Sequence, residues 1–163
     1  MLGDAIVARY RIVQHDAWDD ANLVPVGRNR AGRPVGINRA YMEASFRILT
    51  GFIEPHFFAG FSGGPKAVLP AIAGIEAILD NHGPEMVSSP RATWAATDGN
   101  PIWEEMRDIA LQSAPSFLLN VTLNQERRIT GAFAGEMLAA HRQGTAFARQ
   151  CAVRPVSGPF DLV

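Results

Sequence analysis

The chain has 163 residues, and 14 of its 15 basic residues are arginine, against 16 acidic residues and a net charge of -1. A charge so close to zero excludes the strongly basic surface of a typical nucleic-acid binder, so no nucleic-acid partner is expected. With 47% hydrophobic and 19% charged residues, the composition excludes a disordered chain, and the length suits one domain.

The sequence contains no targeting or membrane-spanning segment. No run reaches the roughly 18 to 20 apolar residues of a transmembrane helix, and the N-terminus lacks the basic and then apolar regions of a signal peptide. We therefore expect a soluble, cytoplasmic protein with no membrane partner. Cys151 is the single cysteine, which excludes an intramolecular disulfide, and we expect this small side chain to be buried.

The first third of the chain predicts strands and turns. Apolar residues alternate over residues 5–13 with a period near two, which predicts a β-strand. Glycine, proline and arginine crowd residues 26–38 and predict a loop or a short hairpin on the surface. Residues 41–44 suit a helical turn, and the apolar, β-branched run 46–53 predicts a buried strand.

A glycine-rich connection at residues 54–66 leads from this strand toward a helix. Pro70 has the preset φ angle that is favoured in a first helical turn, and apolar residues follow it at helical spacing. This helix is predicted to end at residues 81–84. A second helix is predicted to begin at Pro101, with Asn100 as its N-cap. The buried face of the second helix should carry Ile102, Met106 and Ile109.

The last third of the chain predicts a hairpin and a helix. Residues 116–123 and 128–133 have strand character and are joined by a polar turn. Residues 136–149 predict a helix, and residues 159–163 predict the start of another strand. Strands mixed with helices over this length predict an α/β fold, in which flanking helices largely bury a mixed sheet.

Lys66 is the only lysine of the chain, and it follows three glycines and a proline in the motif GFSGGPK. Near a helix start and beside apolar neighbours, an amine has a lowered pKa and becomes a better nucleophile. A surface lysine without a chemical role is the alternative. The motif does not match the phosphate-binding loop of nucleotide hydrolases, because Pro65 removes an amide donor and Ala67 lacks the magnesium-binding hydroxyl.

Two of the four histidines occupy positions that suit chemistry. His56 follows a predicted strand, at the edge of the sheet where open α/β proteins bind ligands, and is a candidate acid or base. His82 follows a predicted helix, where a neutral imidazole could ligate a metal or cap helix carbonyls. His141 is expected to be a packed or hydrogen-bonded helix residue. His15 lies among three aspartates that are expected to be solvated rather than to bind a metal.

The segment 51–70, GFIEPHFFAGFSGGPKAVLP, strongly resembles the signature of the lactate racemase family, the nickel-pincer nucleotide enzymes. The resemblance continues at residues 81–82, 98–101, 117–124 and 139–142, so it covers most of the chain. It implies that the α/β fold, with its mixed sheet and flanking helices, is part of a lactate racemase-like N-terminal domain.

The resemblance also implies a function and a division of roles. Members of the family racemise or epimerise lactate or another 2-hydroxy acid by hydride transfer to a covalently bound nickel-pincer nucleotide. By position in the motif, His56 matches one of two acid/base histidines. Lys66 matches the lysine that is bonded to the cofactor through a thioamide, and His82 matches the protein ligand of nickel. Cofactor-biosynthesis proteins are implied as partners of the whole enzyme.

Parts of the family pattern have no counterpart in the chain. The second acid/base histidine belongs upstream of the central motif, and His15, the one histidine before His56, lies in the wrong element. Ala71 stands where the family pattern has glycine. We therefore expect residues 1–163 to form a single incomplete domain, without the upstream part and the C-terminal domain, and to have little or no racemase activity alone.

Two other classes of function are compatible with the same residues. A non-catalytic cofactor- or metal-binding domain would use the glycine-rich loop and the histidines to hold a ligand without turnover. A zinc or other divalent-metal hydrolase would use His56 and His82, but the sequence shows no obvious third protein ligand. Within the racemase interpretation, lactate, malate and aromatic 2-hydroxy acids are all compatible substrates.

Overall fold

The computed structural model describes residues 3–158, which begin with the short exposed helix α1 (Asp4–Arg9). The predicted strand at residues 5–13 is therefore wrong. No described strand pairs with this segment, so its backbone groups bond locally, as in the 3.0 Å bond from the Tyr10 N–H to the Ile6 carbonyl. The strand predicted at residues 159–163 lies outside the described residues.

A β-hairpin and a short helix follow. After a 3₁₀ turn (Asp20–Asn22), strand β1 (Leu23–Arg28) pairs antiparallel with β2 (Pro34–Asn38), which confirms the predicted hairpin. Helix α2 (Arg39–Met42) begins directly after β2, because the Asn38 side chain accepts hydrogen bonds from the first helical N–H groups. The helical turn predicted at residues 41–44 is thus present and begins two residues earlier.

The middle of the chain contains β3 (Ile48–Phe52), β4 (Pro55–His56), β5 (Gly60–Phe61), a 3₁₀ helix (Gly64–Ala67) and helix α3 (Ile75–Asn81). Strands β4 and β5 form a small antiparallel pair of their own. This pair and the 3₁₀ helix carry the glycine-rich connection predicted at residues 54–66, and α3 ends where the sequence predicted.

The prediction that Pro70 lies in the first turn of a helix is wrong, because α3 begins only at Ile75. The residues between them pair with β2 instead. The Asn38 N–H donates to the Ile72 carbonyl at 2.9 Å, and the Gly74 N–H donates to the Gly36 carbonyl at 2.9 Å. These long-range backbone bonds replace the local bonds that an earlier helix start would require.

The rest of the described chain contains α4 (Pro84–Val87), α5 (Pro101–Gln112), β6 (Phe117–Leu123), β7 (Ile129–Gly135) and α6 (Met137–Ala152). Strands β6 and β7 form the predicted antiparallel hairpin, and α5 and α6 are the predicted second and third helices. Helix α5 buries Ile102, Met106 and Ile109 as predicted.

The main sheet is mixed, as the sequence predicted. Its strand order is β3-β6-β7, with β3 parallel to β6 and β7 antiparallel to β6. Helix α6 packs against β6 and β7 on the inner face, where Leu49 and Leu118 are buried. The core combines this face with α5 and the hairpin, and contains Val35, Ile37, Leu49, Val68, Leu69, Ile102, Met106, Ile109, Leu118 and Met137.

Two burial predictions are wrong. The strand at residues 46–53 forms, but its outer face is not covered by any described element: Ile48 is 53% exposed and Phe52 is 45% exposed. Parallel strands in open sheets usually have helices on both faces, whereas the described residues cover one. Cys151 is exposed rather than buried, because the buried positions of α6 end at Ala148. None of the helices within residues 3–158 has the length and hydropathy needed to cross a bilayer.

Replacing Asn100 with alanine is expected to lower the free energy of unfolding by about 2 to 4 kcal/mol. The buried Asn100 side chain caps α5 by accepting from two N–H groups, and it also donates to the Phe58 and Ala96 carbonyls. Glu136→Ala is the matched control, because it removes the exposed cap of α6 and should cost about 1 kcal/mol. Urea unfolding measures the free energy of unfolding of both variants. Equal losses of stability would contradict the role of the buried cap.

Candidate functional site

The candidate site lies beyond the carboxyl end of β3, where the chain makes the β4–β5 pair. In this pair His56 is opposite Gly60, and the Ser62 N–H donates to the Glu54 carbonyl at 2.9 Å. The Ser62 hydroxyl also donates to the Phe52 carbonyl at 3.0 Å, so the loop is tied back to the last residue of β3. His56 is therefore placed at the strand end where ligands of α/β proteins usually bind.

The His56 ring is partly buried among aromatic side chains. It stacks on Phe57, with ring centroids 4.8 Å apart, and meets the edge of Phe58 at 4.6 Å. The Ala59 N–H donates to Nδ1 at 3.2 Å, which leaves Nε2 as the nitrogen that can meet a ligand. Burial, followed by the charges of Lys66 and His82, lowers the pKa of His56 to about 4. The ring is therefore neutral near pH 7.

His82 follows the last residue of α3, and its ring also contacts Phe58. The two rings meet edge to face with centroids 5.2 Å apart, so Phe58 contacts both histidines. The Nδ1 atom of His82 is buried and has no hydrogen-bond partner within the described chain. Burial, and then the charge of Lys66, lowers the pKa of His82, so this imidazole is in the neutral form that metals bind.

Lys66 lies in the 3₁₀ helix and is partly buried. Burial lowers the pKa of its amine, and only the charge of Glu54 acts in the opposite direction. No carboxylate forms a salt bridge with Lys66 within the described residues. A buried amine without a paired carboxylate has a larger neutral fraction than an exposed lysine, and the neutral form is the nucleophile.

The structure therefore brings the three predicted residues together. The charge of Lys66 reaches both histidine rings, and the phenyl ring of Phe58 contacts both His56 and His82. A cavity of about 870 Å³ opens beside His56 and is lined mainly by apolar residues, although neither Lys66 nor His82 lines it. The apolar part of this lining includes Phe57, Trp94, Leu123 and Val153.

Within residues 3–158, no group of three His, Cys, Asp or Glu side chains is arranged to hold a metal ion. The described residues therefore do not supply the three protein ligands of a typical zinc hydrolase site.

Both ring nitrogens of His15 form hydrogen bonds within the fold. Its Nε2 bonds to the Ala73 carbonyl at 2.9 Å and its Nδ1 to the Asn38 amide at 3.0 Å. Asp16 and Asp19 bond to neighbouring turn groups, as expected of solvated loop residues. His15 thus joins the segment before β1 to β2 and does not lie among the three candidate residues.

Sequence reasoning missed Asn120, and it did not connect His141 with the site. Asn120 is fully buried on β6 and accepts a 2.7 Å hydrogen bond from the Gly64 N–H. His141 is buried on α6 and bonds to the Ser62 carbonyl, which confirms its prediction as a packed, hydrogen-bonded residue. A signal for Asn120 was present, since an amide at an inward position of the apolar strand FLLNVTL needs a partner.

The chain is similar to known proteins of one family over most of its length. Residues 1–95 match the family model for the lactate racemase N-terminal domain. The chain is 40% identical to a lactate racemase from Lactiplantibacillus plantarum over 153 residues, covering 94% of this chain and 36% of that protein. It is 38% identical to a lactate racemase from Thermoanaerobacterium thermosaccharolyticum over 162 residues, covering 99% of this chain and 38% of that protein.

Solved structures show the same relationship. The lactate racemase apoprotein from Thermoanaerobacterium thermosaccharolyticum superposes with a TM-score of 0.87 and 39% identity, covering 89% of this chain and 35% of that chain. A protein from Thermotoga maritima superposes with a TM-score of 0.68 at 22% identity, covering 90% of this chain and 41% of that chain, and shows a similar fold. The chain thus spans little more than a third of the curated relatives it matches.

The pKa of His56 is expected to be about 4 in an NMR titration, and Lys66→Met is expected to raise it by removing a neighbouring positive charge. Lys66→Arg is the matched control, since it keeps the charge and should leave the His56 pKa low. Because an unfolded histidine titrates near 6.5, the unfolded chain binds more protons between pH 6.5 and 4. His56 should therefore reduce stability as pH falls through this window. Titration near 6.5 in the unmodified chain would contradict the prediction.

Proposed function

Because this chain belongs to the lactate racemase N-terminal domain family, we propose that it supplies the cofactor-bearing part of a 2-hydroxy-acid racemase or epimerase that uses a nickel-pincer nucleotide. The observation that carries the proposal is that His56 and His82 both contact Phe58 and both lie within reach of the charge of Lys66, with the pKa of all three groups lowered. Relatives that match 94% and 99% of the chain are named lactate racemases.

The residues present fit such a cofactor. His82 would be the protein ligand of its nickel, because this imidazole is shifted toward the neutral form and its Nδ1 has no hydrogen-bond partner within the described residues. A nickel ion that is already chelated by an organic ligand needs only such a single protein donor. Lys66 supplies the amine for covalent attachment through a thioamide, and its lowered pKa favours the neutral, nucleophilic form.

His56 is the proposed acid/base residue. Its ring is neutral near pH 7, and the Ala59 N–H and the aromatic neighbours orient it so that Nε2 can exchange a proton with the hydroxyl group of a 2-hydroxy acid. When bound, the nucleotide would supply a hydride acceptor for the α-hydrogen of the substrate. A second acid/base group is needed on the opposite face of the substrate, and we propose that it comes from outside this chain.

The partners follow from the same proposal. They are a small 2-hydroxy acid and the cofactor-biosynthesis proteins that load the enzyme in the cytoplasm. The alternative is a non-catalytic cofactor- or metal-binding domain, which would use the same side chains to hold a ligand without turnover. Cofactor loading is expected in both cases, whereas turnover by the whole enzyme is expected only in the first.

Co-expression of the chain with the cofactor-biosynthesis proteins is expected to produce a mass adduct on the peptide that contains Lys66. Intact-mass and peptide mass spectrometry measure this adduct. Lys66→Arg should abolish it because a guanidinium is a poor nucleophile, whereas His82→Gln should keep the adduct and lose nickel, measured by metal analysis. An adduct of the same mass in Lys66→Arg would refute the assignment of Lys66.

The loaded chain alone is expected to racemise lactate at less than about a hundredth of the rate of a whole relative, because one acid/base group typically contributes 10²- to 10⁴-fold. Chiral chromatography of D- and L-lactate measures the rate, with a loaded curated relative as the positive control. Robust racemisation by the loaded chain would show that residues 1–163 contain both acid/base groups.

A further inference from the structure

The backbone of residues 62–64 rests on two buried polar side chains that come from distant parts of the sequence. Asn120 belongs to β6, the middle strand of the sheet, and is 0% exposed, while His141 belongs to α6 and is 2% exposed. Each side chain bonds to one backbone group of this short segment. The two bonded groups, the Ser62 carbonyl and the Gly64 N–H, lie on either side of Gly63.

Asn120 holds the segment from the sheet. Its Oδ1 accepts the Gly64 N–H at 2.7 Å, a short bond in a fully buried position. The backbone of Gly63 lies so close that a Cβ there would be 2.6 Å from the same oxygen. Gly63 also has a φ of +74°, a conformation that favours glycine. The amide and the two glycines therefore form one tightly packed unit.

His141 holds the segment from the helix. Its Nε2 lies 3.0 Å from the Ser62 carbonyl, and because a carbonyl only accepts, Nε2 carries the hydrogen and donates. The ring lies under Gly64, where a Cβ would be 2.5 Å from Cδ2. On its other side the ring stacks on Trp103, with centroids 6.2 Å apart and an interplanar angle of 16°. The imidazole is thus fixed in position and in tautomer.

The segment that is held in this way is the start of the helix that carries Lys66. The 3₁₀ helix begins at Gly64, and the Lys66 N–H donates to the Gly63 carbonyl at 3.2 Å. On its other side the segment continues from β5, which pairs with the strand of His56. A displacement of residues 62–64 would therefore move the lysine relative to the histidine.

We propose that Asn120 and His141 are positioning residues that hold the Ser62–Gly64 backbone so that the Lys66 amine stays partly buried beside His56 and His82. The proposal rests on the function proposed above, since it assumes that Lys66 is the reactive amine. Within the described chain, neither side chain is hydrogen-bonded to the amine itself. Their effect passes through two backbone hydrogen bonds and the close packing at the two glycines.

The test measures the reactivity of Lys66 in the full chain, without nickel or nucleotide. Acetic anhydride is applied in short pulses from pH 6 to 11, and peptide mass spectrometry separates Lys66, the only lysine, from the N-terminal amine. The pH of half-maximal labelling reports the pKa of the amine independently of its accessibility. In the unmodified chain this midpoint should lie below the value of about 10.4 for an exposed lysine.

Two variants remove the bonds and keep most of the packing. Asn120→Ser shortens the side chain so that it no longer reaches the Gly64 N–H, and His141→Phe keeps an aromatic ring against Trp103 but lacks the donor. Each variant should raise the pH of half-maximal Lys66 labelling by about half a pH unit or more, which corresponds to about threefold slower labelling at pH 8. His141→Gln should restore the low midpoint, because its amide can donate to the Ser62 carbonyl.

Thr122→Val is the matched control for lost stability. Thr122 lies on the same face of β6, is 4% exposed and loses a 2.9 Å bond to Thr130 when replaced, but it has no hydrogen bond to the described residues 62–64. It should lower the melting temperature and leave the Lys66 midpoint unchanged. Unchanged midpoints in folded Asn120→Ser and His141→Phe would overturn the proposal, as would an equal shift in Thr122→Val.

A second measurement decides the question if both variants fail to fold. In the unmodified chain, the Gly64 amide should exchange its hydrogen only through global unfolding, as the most protected core amides do, because its acceptor is a buried side chain. Fast local exchange at Gly64 would overturn the proposal. Because neither measurement uses the cofactor, a failure here is distinguishable from the absence of a mass adduct on Lys66.

Discussion

The hydrogen bond from the Gly64 N–H to Asn120 Oδ1 is the contact on which the arrangement of the site depends. It joins the loop after β3 to the middle strand of the sheet, across a separation of 56 residues in sequence. A buried N–H without an acceptor would cost about 1 to 3 kcal/mol, so the loop is strongly restricted to positions that keep this bond. The two glycines allow the backbone to come close enough to form it.

The same packing explains why three groups that ordinarily take up protons are shifted toward their neutral forms. Burial is the largest cause of the lowered pKa of His56, Lys66 and His82, and the charge of Lys66 disfavours protonation of both histidines. A neutral imidazole is the form that accepts a proton or ligates a metal, and a neutral amine is the form that attacks a carbon. Partial burial thus shifts all three groups toward the neutral forms that their proposed functions require.

The sequence correctly predicted those elements whose hydrogen bonds join residues that are close together in the chain. Asn100 followed by proline predicted the start of α5 correctly, because an N-cap satisfies nearby N–H groups and needs no distant partner. The polar turn between two apolar runs likewise predicted the β6–β7 hairpin. The alternation at residues 5–13 failed because a strand requires a neighbour, and the helix expected at Pro70 failed because β2 engages the intervening backbone.

For the site, the sequence by itself determined which residues are candidates for chemistry: one lysine in a glycine-rich motif, and two histidines at the ends of a strand and a helix. It also indicated the family, since the motif around Lys66 is specific. Only the tertiary structure decided that Phe58 contacts both imidazoles, that no described element covers the outer sheet face, and that Asn120 and His141 bond to the loop. The physical reason is that these contacts join residues far apart in sequence, whose distances and burial are set by how the sheet, α6 and the loop pack together.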